Sequence, residues 1–104
     1  MKKRKFQRGF RKNKRVNHPS YVIDQDGNMY EYIGVTHSAV TKGENNVSLE
    51  KNPNPKDVRR AYVRPIVERD EKKSFGREYN DWFFSKADKK KVDKIIDKNK
   101  KGKR

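Results

Sequence analysis

The chain lacks cysteine altogether, so no disulfide frame, zinc–thiolate site or cysteine nucleophile is available to it. Stability has to come from an ordinary core, and a reducing cytoplasm suits it. Long apolar runs are missing as well. Nothing approaches the roughly 18 apolar residues of a membrane span, and the charged N-terminus is not followed by the hydrophobic run of a secretory signal. The expectation is a soluble, cytoplasmic protein without membrane contact. Leu, Ile, Val and Phe together supply under a fifth of the 104 residues, a proportion that usually accompanies disorder in highly charged chains. The length excludes a two-domain enzyme, because half of so short a chain could not bury enough apolar surface to offset its entropy.

Acidic residues are scarce too: 14 Asp and Glu stand against 29 Lys and Arg, for a net charge of +15. The imbalance is not uniform. Residues 1–16 carry no acid, and their bases are Lys2, Lys3, Arg4, Lys5, Arg8, Arg11, Lys12, Lys14 and Arg15; the stretch beyond Phe84 is again lysine-rich, while the middle is near neutral. This pattern predicts a flexible basic arm over 1–16, one folded domain over 17–98 and a fraying basic tail over 99–104. Such arms attract polyanions by releasing condensed counterions. Phe6 and Phe10, interleaved with the arm's cations, suit stacking on bases, although a solubilising tail would have the same composition.

Within the middle, Ser20-Tyr21-Val22-Ile23 and Met29–Thr36 are β-prone and flank a turn cluster containing Asp26-Gly27, which predicts a hairpin with a bulge or bend at Gly34. Asn46–Glu50 alternates as a short strand with Val47 and Leu49 inward. Ala61–Val67 reads as another strand, and Pro65 puts it at an edge or a bulge. Asp70–Tyr79 reads as a charged loop. Ser85 and Asp88 resemble a capping box ahead of the stripe Val92, Ile95, Ile96, which predicts a C-terminal amphipathic helix. The expected core draws on Tyr21, Ile23, Tyr32, Ile33, Val35, Leu49, Tyr62, Ile66, Trp82, Phe84, Val92, Ile95 and Ile96. Short strands and one terminal helix make a mainly β fold, a small twisted sheet or barrel with the helix packed across it.

Two stretches together resemble the MazF/PemK family of toxin endoribonucleases. His18-Pro19-Ser20-Tyr21-Val22-Ile23, followed by Ile33-Gly34-Val35-Thr36-His37-Ser38, is similar to the family's Arg-Pro with an apolar strand and a strand ending in Ile-Thr-Ser. Ala61–Val67, Asp70–Phe75, and Phe84-Ser85 with Asp88, Val92-Asp93 and Ile95-Ile96 resemble its later strand, Asp-Lys segment and helix, in the same order. The resemblance implies an SH3-like barrel and metal-independent cleavage of single-stranded RNA. It also implies a homodimer and an acidic antitoxin as partners. Two departures stand out: the family's opening strand and glycine-rich loop are replaced by the basic arm, and its catalytic Arg is His18 here.

Cleavage by the 2′-hydroxyl needs a proton acceptor, a proton donor and a group to offset charge on phosphorus. By the resemblance these tasks fall to His18 and Thr36, with Ser38 as a further hydroxyl. The two histidines, His18 and His37, both lie in matched segments, and an imidazole, ordinarily titrating at about 6.5, suits such work. Adjacent strand residues face opposite ways, so His37 should point away from Thr36. Arg59, Arg60 and Arg64 flank a strand and could grip phosphates, or be exposed and paired with Glu68 and Asp70. Tyr30, Tyr32 and Tyr62 could meet bases or lie in the core, and Trp82 reads as structural. No spacing of acids suggests a metal site, and no cofactor is expected. The alternative to a nuclease is a non-catalytic module that holds ribosomal or mobile-element RNA or DNA with its basic arms.

Overall fold

The computed structural model describes residues 6–102. Strands β1 (Gly9–Asn13), β2 (His18–Asp26) and β3 (Met29–Thr36) form its centre. β2 and β3 are the expected hairpin, paired antiparallel from Ser20↔Gly34 to Asp26↔Met29. Gly27, the first of the two loop residues, has φ +60°, the place where a II′ turn takes glycine because a Cβ there would be strained. The register slips at Ile23, between Val22↔Tyr32 and Asp24↔Glu31. The bulge therefore sits in β2 rather than at Gly34.

Gly34 has a different use. There β3 exchanges one outer neighbour for another: Val35 and Thr36 pair with β7 (Tyr62–Val63), while Met29–Tyr32 pair with β8 (Glu68–Glu71). The linking segment carries Pro65, and its Arg64 N–H donates to Gly34 O at 2.9 Å. A Cβ on Gly34 would stand 3.3 Å from Arg64 Cγ. Pro65 thus lies in an interruption of the strand, as a residue without an N–H should. The remaining strands are β4 (Val40–Thr41) and β5 (Glu44–Asn45), which pair with each other, β6 (Val47–Ser48) beside β7, and β9 (Phe75–Glu78) beside β1. The main sheet runs β6-β7-β3-β2-β1-β9, with β8 also on β3. It is antiparallel and open, ending at β6 and β9 among the described residues.

Three expectations need correction. Residues 9–13 are not arm: β1 lies inside the sheet between β2 and β9, and Phe10, 4% exposed, sits among Tyr21, Trp82 and Phe84. One inward ring per short strand gives no period to read, so the surrounding bases mask it. Residues 70–79 are not a loop, because β8, a 3₁₀ turn over Lys72–Ser74 and β9 occupy them. The helix, α1 (Lys86–Gly102), does not stop at Lys98. Asn99 holds it on, donating to Ile95 O (2.8 Å) and Pro65 O (3.3 Å) and accepting from Val67 N–H (3.1 Å). Residues 1–5 and 103–104, with Lys2, Lys3, Arg4 and Lys5 of the expected arm and the end of the expected tail, lie outside the described residues.

Alternation along β2 and β3 divides the core. Tyr21, Ile23, Ile33 and Val35 face α1 and pack with Phe10, Leu49, Ala61, Val63, Val92, Ile95 and Ile96. Val22 and Tyr32 face the other way and pack with Phe75, bordered by Phe6 and Tyr30. Ser85 Oγ caps α1 by accepting Asp88 N–H at 3.1 Å. The Asp88 carboxylate, wholly buried, does not return the favour; it accepts from the N–H groups of Glu50 (2.7 Å) and Lys51 (3.0 Å), tying the loop after Leu49 to the first helical turn. Among the described residues no helix is long and apolar enough to cross a membrane.

Candidate functional site

On the sheet face away from α1, His18 and Ser20 of β2 and Tyr32, Gly34 and Thr36 of β3 line a cavity of about 330 Å³, with Pro19 and Val35 at its border. His18 opens β2 and Thr36 closes β3. The register that sets Ser20 opposite Gly34 runs toward the same end of the hairpin, and both His18 and Thr36 border the cavity. Ser20 and Tyr32 line it lower down. The turn Lys14–Asn17 contributes Arg15, the β4–β5 hairpin contributes Thr41 and Lys42, and the β7–β8 link contributes Arg64, with Glu68 as the acid on the wall. The positive φ of Asn17 (58°) and Lys42 (52°) makes both turns tight.

Two polar groups in this wall have no partner. Ser20 is completely buried with its Oγ unbonded, and Arg64 Nε is likewise buried and unbonded. A buried polar atom without a partner is costly, and both belong to residues that border the cavity. The Arg64 guanidinium is held from its other end by Glu44, 3.4 Å from Nη2. Thr36 Oγ1 accepts Ser38 N–H at 3.1 Å, leaving the Thr36 proton free to be donated.

Arg15 is anchored by an ion pair with Asp70. Burial alone would raise the Asp70 carboxyl, but the Arg15 guanidinium and the Glu71 N–H (2.8 Å) outweigh it and hold it below the usual carboxylate range; in return Asp70 raises Arg15. Burial pushes the Tyr32 phenol up, Glu68 adds to this, and Arg15 opposes it. The cavity therefore holds fixed positive charge beside an un-ionised phenol.

Other residues named from the sequence are elsewhere. Ser38 lies outside the cavity, because β3 ends at Thr36 and the chain folds into the turn closed by the Ser38 N–H; strand alternation does not carry past that point. His37 points away, as expected, and meets Asp57 (Nε2 to Oδ2, 3.2 Å). Arg59 grips the same carboxylate through Nε (3.0 Å) and Nη2 (2.8 Å), and that grip, helped by the Arg59 N–H and His37, keeps Asp57 far below its ordinary range. Arg60 donates to Ser48 Oγ at 3.1 Å. Of the acids expected to pair these arginines, Glu68 lines the cavity and Asp70 holds Arg15. Arg8 pairs with Asp93 (3.4 Å), Arg11 donates to Gly76 O (3.1 Å), and Lys12 and Lys14 are exposed. Tyr30 lies between the cations of Arg11 and Lys72, 5.8 and 5.4 Å from its ring centre.

Sequence reasoning missed Ser20 and Lys42 as wall residues, and it named Tyr32 without placing it beside His18 and Thr36. Strand parity from His18 and Thr36 would have found Ser20 and Tyr32; Lys42, brought in by a separate hairpin, left no such signal. Comparison of the chain with protein-family models, curated proteins and solved structures gives no match.

Proposed function

We propose that the protein binds single-stranded RNA and cuts it without a metal, in the manner of a MazF/PemK-like toxin built on an open, SH3-like sheet. The observation that carries this reading is the meeting of His18 and Thr36 at one cavity that Arg64 also borders. The exposed His18 imidazole takes the 2′-hydroxyl proton as the 2′-oxygen bonds to phosphorus. Arg64 and the Thr36 hydroxyl donate to the non-bridging oxygens, where negative charge grows. The bond to the 5′-oxygen breaks, and the new imidazolium or solvent supplies its proton. The products are a 2′,3′-cyclic phosphate and a 5′-hydroxyl. A homodimer and an acidic antitoxin belong to the same proposal.

Purified protein incubated with single-stranded RNA and chelator should give discrete fragments with cyclic-phosphate ends. His18→Ala and Thr36→Ala should lower cutting by about 100-fold or more, the ordinary worth of a general base or a charge-stabilising donor, while retaining RNA. Retention with no fragments from the parent protein would reject the nuclease. That outcome would favour the binding-module reading, which Lys86, Lys90, Lys94 and Lys98 support: they are exposed at four-residue intervals on α1, on the other side of the sheet from the cavity.

A further inference from the structure

A second recess, of about 290 Å³, lies on the α1 side of the sheet, between the start of β1, the end of β9 and the first turns of the helix. Its wall is aromatic. Tyr79 and Trp82 stack in parallel, with centroids 4.4 Å apart and planes 13° off, and Phe83 beside them is 48% exposed. The stack is held by backbone bonds: Tyr79 N–H donates to Phe10 O (2.9 Å) and Trp82 N–H to Tyr79 O (3.2 Å). Polar groups stand around the rings. The Glu78 carboxylate lies over Gly9, where a Cβ would come within 3.0 Å of Oε2, so the bare glycine makes its place. Asn80 is exposed at the rim. Arg8 and Lys89 border the recess and share Asp93 at 3.4 and 3.5 Å, exposed pairs weak enough for a phosphate to displace.

We infer that this recess is a nucleobase subsite that takes one unpaired base of the bound RNA and prefers adenine or cytosine to uracil. Aromatic faces accept any base, so the preference has to come from the edge groups. A carboxylate accepts from the exocyclic amine that adenine and cytosine carry and uracil lacks, and an amide such as Asn80 can both donate and accept. Uracil offers the Glu78 oxygens only its ring N3–H, set between two carbonyl oxygens that the carboxylate repels. Arg8 and Lys89 supply the phosphate contact. Because the cavity with His18 opens on the opposite face, the base held here is remote from the bond being cut. The inference rests on the reading that the chain binds single-stranded RNA.

Trp82 is the chain's one tryptophan, so its fluorescence reports on this recess. Eight-residue oligomers of A, C and U are titrated into the full-length Thr36→Ala protein, following binding by anisotropy and stacking by Trp82 emission. The A and C oligomers should quench Trp82 and bind about tenfold or more tighter than U, the scale of one base contact. Glu78→Gln should erase the difference between A and U, since its amide can both donate and accept. Tyr79→Leu should weaken the A oligomer about tenfold; as Tyr79 packs against the core, Asn80→Ala at an exposed position serves alongside it and should weaken A without disturbing the fold. Equal binding of all three oligomers with unchanged Trp82 emission would overturn the subsite and leave RNA binding intact. No binding of any oligomer would overturn both.

Discussion

Asp88 shows how one side chain can serve an end different from its sequence pattern. In a capping box it would reach back to the Ser85 N–H, but it is buried against the backbone of Glu50 and Lys51. Asp88→Ala would remove the shared acceptor of two backbone N–H groups, and we expect a loss of about 2–3 kcal/mol, from the usual cost of losing a hydrogen bond to a charged group. Ser85→Ala should cost about 1 kcal/mol as a lost cap. Urea unfolding of the two variants measures both; a smaller loss at Asp88 than at Ser85 would contradict this division. Asp70 adds a pH dependence. Its carboxyl is held below the ordinary value, so it stabilises the fold above about pH 4 and loses that contribution as pH falls through its lowered pKa. Asp70→Asn should therefore be less stable than the parent at neutral pH, with the gap closing in acid. Of these roles only the Ser85 cap was readable in the sequence, because the others depend on partners 37 and 55 positions away along the chain.

At the scale of elements, what could be read followed from how local the cause is. The β2–β3 hairpin was legible because its turn residues and its alternation sit within one stretch. The expected strand over Ala61–Val67 is strand only at Tyr62–Val63, and Pro65 lies in the break before β8 rather than at an edge or bulge of a continuous strand; its missing N–H suits that place. β1 was not legible: a strand with one inward ring among cations looks like an arm until β2 and β9 are placed on either side of it. Its membership of the fold makes a direct prediction. Phe10→Ala should cost about 3 kcal/mol or more, the usual loss for a buried phenylalanine, whereas an arm residue would cost almost nothing. Gly27→Ala should cost about 1 kcal/mol by forcing a side chain into the positive-φ region. Thermal or urea unfolding gives both values. At the site, His18 and Thr36 were named by the family resemblance rather than by strand geometry; they open and close the two strands of one hairpin and border one cavity. Ser38 failed because its chain turns off the strand.

The molecule as a whole carries +15 on a sheet with two dissimilar faces. One is covered by α1, whose exposed lysines look outward; the other holds the small hydrophobic cluster of Val22, Tyr32 and Phe75 beside the positively charged cavity. Charge of this size makes nucleic-acid affinity fall with salt. Removing residues 1–5, with Lys2, Lys3, Arg4 and Lys5, should lessen the slope of log affinity against log salt by up to about 3 for single-stranded RNA, at roughly 0.7 per phosphate contact. An unchanged slope would show that these four cations do not touch the ligand. Removal of 1–16 should instead unfold the protein, because it takes β1 from within the sheet. On the proposed function, cutting, in contrast to binding, depends on the cavity. The comparison that isolates it is single-turnover cleavage of one RNA, in chelator, by Thr36→Ala and Ser38→Ala side by side. Two hydroxyls lie two residues apart, and only the first borders the cavity. Loss of cutting in Thr36→Ala, with Ser38→Ala close to the parent, is the predicted result; equal rates in the two variants would contradict the account.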